Sequence, residues 1–255
     1  MCELRSYLIC ATQRCGSTLL CEWLDQTGVL GHPNEYLGLW QEYANRDDAP
    51  FWELVVQETK DRWRGANGVF GCKVMANTFP VAMQWLRRVP AAAGLDDWRV
   101  GQLAFGPGPV VRVQRRDRVR QAISRYIAMQ TGIYHVAADD AVGSELLGGA
   151  LGSREADRRE RIPFDFAAID AQVALIGREE RYWDELFAAA GVAPLELVYE
   201  DFVRDRAGTV RAVLEHVGID PADANLAFEE RMARMSDGVN ERFYREYQAH
   251  KDAAG

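Results

Sequence analysis

The sequence lacks several patterns that would place it at once in a large class of proteins. Its 5 cysteines include no C-x-x-C pair and its 4 histidines form no H-E-x-x-H pair, so no metal site is predicted. No apolar run approaches the ~18 residues that a membrane-spanning helix needs. No basic segment followed by a long apolar run opens the chain, so no signal peptide is predicted. The odd cysteine count and this N-terminus favour reduced thiols in a cytoplasmic protein.

An excess of basic residues is also missing. Asp and Glu number 38 against 30 Lys and Arg, which gives a formal net charge of −8. This balance argues against a nucleic-acid partner, because nucleic-acid-binding proteins carry excess Lys and Arg. Apolar residues make up 48% of the 255 residues and only 9 residues are proline, as in ordinary globular proteins. We expect a single domain over residues 1–255.

Short apolar runs alternate with amphipathic stretches along the chain. Strands are predicted at four of these runs, namely 6–11, 68–75, 110–113 and 195–199. The alternation predicts an α/β fold with a central parallel sheet flanked by helices. A loop is predicted at 90–109, a helix at 222–235, and fraying at the end of the polar C-terminal stretch. Residues 132–164, rich in Gly, Ala, Asp and Arg, are predicted to form a lid or a long excursion.

The first predicted strand runs into a tight turn and a helix, an arrangement whose backbone N–H groups bind phosphates. Against the P-loop pattern G-x-x-x-x-G-K-[ST], Ala11 stands at the first glycine, Gly16 at the second and Thr18 at the hydroxyl position. Ser17 replaces the phosphate-reaching lysine, which disfavours ATP or GTP hydrolysis, while Arg14 keeps a cation in the turn. The alternative is that residues 16–18 form only a helix N-cap, where serine and threonine are favoured.

A second candidate anion site is a run of six arginines between Arg112 and Arg125. The run begins at the end of the third predicted strand, and ligands bind at the carboxyl ends of strands in open α/β sheets. A strand-end arginine with a serine two helical turns on could clamp one phosphate. Two anion sites on one nucleotide are therefore predicted. The other interpretation of such a charge run is a solvated helix face.

Several segments fall in the same order as the motifs of a known enzyme family. They include Arg14-Cys-Gly-Ser-Thr18, Arg115/Arg116 with Ser124, and the stretches 27–36, 67–75, 121–124, 197–201 and 231–244. The first resembles the 5′-phosphosulfate loop of sulfotransferases that use 3′-phosphoadenosine 5′-phosphosulfate (PAPS), and the second resembles their 3′-phosphate motif. The full set is most similar to the bacterial trehalose 2-sulfotransferase family, over about residues 6–245.

The resemblance implies a P-loop-like three-layer fold, PAPS as donor, adenosine 3′,5′-bisphosphate (PAP) as product, no metal, and a homodimer. It places the 5′-phosphosulfate on five residues of the turn, namely Arg14, Cys15, Gly16, Ser17 and Thr18. It places the 3′-phosphate on Ser124 with either Arg115, nine positions earlier, or Arg116, eight positions earlier.

The resemblance also assigns catalytic roles. Glu35 falls on the family's catalytic carboxylate and Lys73 on a lysine beside the donor. Glu35 would take the acceptor hydroxyl proton as general base, while Arg14 and Lys73 would stabilise charge on the sulfuryl and bridging oxygens. Without the resemblance, the favoured interpretation of Glu35 is a surface carboxylate in a polar loop. Lys73 could then be a side chain that extends from a strand end into solvent.

The predicted acceptor is a small molecule with a hydroxyl group. The chain has His32-Pro-Asn-Glu35 where the family has Glu-Pro-Gln-Glu beside the acceptor. This difference favours a broader acceptor class than trehalose, such as a sugar, a glycolipid or a secondary metabolite.

Two other functions stay open from the sequence. A P-loop small-molecule kinase would need a lysine after Gly16 and a strand-end carboxylate for Mg²⁺. A non-catalytic nucleotide-binding dimer module would keep the anion sites and need no base.

Overall fold

Four strands form a parallel sheet in the computed structural model, which describes residues 5–46, 48–133, 158–229 and 238–254. The strands are β1 (Arg5–Ala11), β2 (Val69–Met75), β3 (Val110–Gln114) and β4 (Leu195–Val198). Their order in the sheet is β2-β1-β3-β4, and every neighbouring pair is parallel. The α/β class is confirmed, and every strand end lies within one residue of its prediction.

The described helices lie between and after these strands in the sequence. They are α1 (Ser17–Gln26), α2 (Ala49–Trp63), α3 (Phe79–Leu86), α4 (Asp97–Phe105), α5 (Arg118–Thr131), α6 (Phe166–Ala190), α7 (Tyr199–Phe202), α8 (Arg206–Val217) and α9 (Gly238–Ala254). Short 3₁₀ turns occur at Leu39–Tyr43, Pro90–Ala92 and Pro221–Asp223. None of the described helices is both long and apolar enough to cross a membrane.

Both faces of the sheet are buried, since alternate strand residues point to opposite sides. Leu8, Cys10 and their counterparts on neighbouring strands pack with α2, α3, α4 and the C-terminal half of α6. Tyr7, Ile9 and their counterparts pack with α1, α7 and α8. Helices on both faces give the predicted three layers, and the near-continuous apolar strands reflect burial on both sides.

The chain divides into two compact units. The first contains Met1–Arg116 and Glu179–Phe228, and so carries the sheet. The second contains Asp117–Arg178 and Glu229–Gly255, with its own apolar core from α5, α9 and the first part of α6. The single domain expected from the sequence stays a prediction. Most of the predicted lid, residues 134–157, lies outside the described residues.

The stretch 90–109 is not a loop throughout, because α4 lies within it. Asp96 caps this helix by accepting a hydrogen bond from the Arg99 N–H, and Trp98 and Phe105 are buried. The Gly-Pro-Gly-Pro sequence at 106–109 follows the helix directly, and its turn-forming composition predicts a loop for the whole stretch.

Two C-terminal predictions are also wrong. Of the helix predicted at 222–235, the described residues 224–229 are not helical and follow the 3₁₀ turn. The polar stretch near the end of the chain forms α9 instead of fraying. Val239, Phe243 and Tyr247 recur every four residues and bury one face of α9 in the second unit's core.

Candidate active site

The predicted phosphate-binding turn lies between β1 and α1. Gly16 is the N-cap of α1 with a φ of 96°, and no side chain caps the helix there. Residues 16–18 do form the start of the helix, with glycine rather than serine or threonine at the N-cap, and their binding of a phosphate stays a prediction. Arg14 has a φ of 67°, the one positive value at a non-glycine residue in the described ranges. Left-handed residues of this kind concentrate at functional sites.

The ring of Tyr199 packs against Gly16. A Cβ at Gly16 would overlap Tyr199 Cδ2 and would lie 3.1 Å from Phe202 Cζ. Glycine suits the position because the backbone needs a positive φ and the ring leaves no room for a side chain. Tyr199 follows β4 directly, so the end of the fourth strand supports the turn after the first strand.

Lys73 is a buried lysine within β2. Its side chain is 1% exposed, and its Nζ lies 3.7 Å from Glu35 Oε2. The same Nζ donates a hydrogen bond to Thr18 Oγ1 at 3.0 Å. The interpretation of Lys73 as a lysine extending into solvent is wrong. A buried ammonium group is costly unless it is paired, and here a carboxylate and a hydroxyl supply the partners.

The segment that carries Glu35 runs beside the edge strand β2. Asn34 forms a parallel bridge with Cys72, and the Lys73 N–H donates to the Asn34 carbonyl at 2.9 Å. The Asn34 side chain accepts a hydrogen bond from the Glu35 N–H at 2.8 Å. These bonds hold Glu35 so that one oxygen faces Lys73 while 26% of the side chain stays exposed. Glu35 is thus a positioned carboxylate with access to solvent, rather than an isolated surface group.

The two candidate 3′-phosphate arginines have different surroundings. Arg115 is 17% exposed, donates to the Arg14 carbonyl at 3.4 Å and lies 3.8 Å from Glu200 Oε1. Its guanidinium also lies 4.9 Å from the centre of the Tyr199 ring. Arg116 is 60% exposed and pairs with Asp201 at 2.6 Å, and this hydrogen bond raises the pKa of the Arg116 guanidinium. Arg115 therefore contacts the turn, whereas Arg116 forms a surface ion pair.

The remaining arginines show that the run is not one solvated helix face. Arg112 lies in β3, is buried, and pairs with Asp184 and Glu196. Arg125 is buried in α5 of the second unit. Ser124 also belongs to α5, and its role in a 3′-phosphate site stays a prediction.

The thiols of the described cysteines are free and buried. Burial raises the pKa of the Cys15 thiol, and it raises the pKa of Cys21 to about 12. These thiols stay protonated at neutral pH and pack as small apolar groups. Among the described residues, no group of three or more His, Cys, Asp or Glu side chains is arranged to hold a metal ion.

Three residues that organise the site were not predicted as site residues: Asn34, Tyr199 and Glu200. Tyr199 and Glu200 lie at the carboxyl end of β4, so the strand-end rule applied to the arginines also points to them. Asn34 acts mainly through a backbone bridge, for which the sequence carries no local signal.

The structure thus combines a P-loop-like turn that lacks the loop lysine with a buried lysine that lies 3.7 Å from a carboxylate, an arrangement that suits an α/β enzyme. The family model described as Stf0 sulphotransferase matches residues 6–250. The chain belongs to this family and is a sulfotransferase, which confirms the resemblance seen in the motifs.

Two curated relatives and one solved structure are similar to this chain. The trehalose 2-sulfotransferase of Mycolicibacterium smegmatis is 28% identical over 95% of this chain and 96% of the relative. That of Mycobacterium tuberculosis is 28% identical over 91% of each chain. A sulfotransferase structure from Alicyclobacillus acidocaldarius has a TM-score of 0.48 at 15% identity, covering 98% of this chain and 93% of that one.

Proposed function

We propose that this sulfotransferase transfers a sulfuryl group from PAPS to a hydroxyl group of a carbohydrate, a glycolipid or a secondary metabolite. The acceptor oxygen bonds to sulfur while the bond from sulfur to the bridging phosphate oxygen breaks. The hydroxyl proton passes to the Glu35 carboxylate, and PAP leaves. The observation that carries the proposal is the contact of Glu35 with buried Lys73 beside the start of α1.

The surroundings of Glu35 suit a general base. Its carboxylate is exposed enough to reach an acceptor hydroxyl, and the Asn34 bridge fixes its backbone. A base must lie within hydrogen-bond reach of the proton it takes, so a fixed backbone favours this role.

Lys73 and the turn suit the stabilisation of negative charge. The ammonium group of Lys73 is almost completely shielded from water. Electrostatic interactions are stronger in such a buried position than in solvent. The first N–H groups of α1 and its dipole favour the phosphosulfate at Gly16, Ser17 and Thr18. Arg14 and Cys15 belong to the same turn, and Arg14 would add a positive charge.

The 3′-phosphate is assigned to Arg115 in preference to Arg116. Arg115 already contacts the turn at the Arg14 carbonyl, and Arg116 is committed to Asp201 at the surface. Ser124, nine positions after Arg115, is the second residue proposed to bind the 3′-phosphate.

The carbohydrate class of the acceptor is supported by the relatives, whose names specify trehalose. An acceptor other than trehalose is supported by His32, which stands where the family has a glutamate. The His32 side chain pairs with Asp25 at 2.6 Å. A homodimer and a cytoplasmic location, implied by the resemblance and by the free thiols, complete the proposal.

Calorimetric titration with PAP, ADP and adenosine 5′-phosphate tests the donor. We expect tight binding that requires the 3′-phosphate. No preference for it would overturn the donor assignment, and tighter binding of ATP with Mg²⁺ would favour the kinase.

Glu35→Gln tests the base, with Glu53→Gln on the exposed surface of α2 as the matched control. Transfer of labelled sulfate from PAPS should fall about 10²–10⁴-fold in Glu35→Gln, while PAP affinity and the control stay unchanged. Full turnover by Glu35→Gln would exclude this role.

A further inference from the structure

The indole N–H of Trp183 bonds to the last residue of β1. Trp183 is 1% exposed, and its Nε1 donates to the Ala11 carbonyl at 3.0 Å. The N–H of Ala76 donates to the same carbonyl, also at 3.0 Å. A carbonyl oxygen has two lone pairs, so both acceptor positions of Ala11 are used. The turn that carries Arg14 and Gly16 begins at the next residue.

The position of Trp183 is itself fixed by packing. Its ring stacks on Phe187 with centroids 5.5 Å apart and lies 5.4 Å from the ring of Phe79. Buried Arg112 of β3 donates to the Glu180 carbonyl at 3.1 Å, one helical turn before Trp183, and pairs with Asp184. The C-terminal part of α6 is thereby attached to β3, and Trp183 connects it to the end of β1.

The second donor at Ala11 is not needed to satisfy that carbonyl, because Ala76 already does so. The ring contacts also do not require a nitrogen, since a phenyl ring would fill most of the space. What the indole N–H adds is direction: two donors on one carbonyl orient the peptide plane from which the chain leaves the sheet.

We infer that Trp183 is a positioning residue for the sulfuryl donor, whose indole N–H orients the peptide after Ala11 and with it the turn of residues 12–16. The inference rests on the proposed function, because the turn is taken to hold the 5′-phosphosulfate. In this role Trp183 acts through its bond to the Ala11 carbonyl and not through a contact with the donor.

Trp183→Phe tests the inference, and Trp52→Phe is the matched control. Trp52 is also fully buried, and its Nε1 donates to a backbone carbonyl, that of Arg46, at 3.2 Å. Each variant loses one hydrogen bond from an indole N–H to a backbone carbonyl. Only the carbonyl bound by Trp183, that of Ala11, directly precedes the turn. Thermal melts should show a similar modest loss of Tm in both.

Calorimetry with two probes separates positioning from general destabilisation. PAP carries both phosphates, whereas adenosine 3′-phosphate lacks the group that the turn would bind. Trp183→Phe should weaken PAP binding by about tenfold, equivalent to 1.4 kcal/mol, and leave adenosine 3′-phosphate binding unchanged. The kcat/KM for PAPS should fall in parallel, and Trp52→Phe should bind both probes like the wild type.

Four results would overturn the inference or its premise. Wild-type affinity of Trp183→Phe for PAP, or equal weakening of both probes, refutes the positioning role. Failure of the wild-type protein to bind PAP refutes the proposed function instead. If Trp183→Phe does not fold, the ¹⁵N-indole resonance of wild-type Trp183, assigned through its contact with Phe79, should shift with PAP and not with adenosine 3′-phosphate. An unshifted resonance contradicts the inference.

Discussion

Replacing Gly16 by alanine tests whether the turn between β1 and α1, the proposed phosphate-binding turn, depends on glycine at this position. Its φ of 96° would cost an alanine about 1–2 kcal/mol. The new methyl group would overlap Tyr199 Cδ2 and lie 3.1 Å from Phe202 Cζ, and forced overpacking costs about 1–3 kcal/mol more. We therefore expect a loss of roughly 2–5 kcal/mol in the free energy of unfolding.

Gly28→Ala is the matched control for this substitution. Gly28 also has a positive φ, 72°, but an added Cβ would meet nothing within 4 Å. Urea unfolding of both variants separates the backbone cost from the overlap with Tyr199, which should make Gly16→Ala the less stable by about 1–3 kcal/mol. PAP affinity should fall in Gly16→Ala alone. Equal stability of the two variants, or unchanged PAP binding by Gly16→Ala, would refute the reasoning.

Four further outcomes are expected. Arg115→Gln should weaken PAP binding about 10–100-fold, the value of one charged hydrogen bond, and Arg116→Gln should have little effect when both are titrated by calorimetry. Lys73→Met should lower kcat about 10²–10³-fold in a transfer assay while the fold is retained by circular dichroism. Because burial raises the pKa of Cys21 to about 12, its thiol should resist iodoacetamide at pH 8 and react only as the pH nears that value or the protein unfolds, as mass spectrometry would show. If residues 1–255 form one domain, fluorescence and circular dichroism should report one coincident urea transition.

The strands were predictable because each is an apolar run bounded by turn residues. β1 and β2 are buried on both faces, so their composition alone marks them. α9 was missed because its composition is polar, although Val239, Phe243 and Tyr247 form an apolar stripe of period four. In that region, periodicity was more informative than composition.

The sequence could propose residues for the candidate site, but it could not predict their geometry. The motif resemblance gave Glu35 and Lys73, but the 3.0 Å bond from Lys73 to Thr18 joins positions 55 residues apart. Such a contact depends on the order of β1 and β2 in the sheet, which local propensity does not determine. The difference between Arg115 and Arg116 likewise arises from Tyr199 and Asp201, which a later strand brings to the same sheet edge.

If Glu35 acts as the proposed base, the bridge between Asn34 and Cys72 limits how acceptor recognition can change during evolution. β2 is an edge strand, and an uncovered edge is a template for pairing with another chain. The backbone at Asn34 covers part of this edge, so the segment that carries Glu35 also occupies main-chain groups with which another chain could pair. Replacing a side chain such as that of His32 leaves this cover in place, because the cover uses main-chain atoms. An insertion between His32 and Glu35 would displace the carboxylate and uncover the edge together, so new acceptors are accommodated more readily by substitution than by a longer loop.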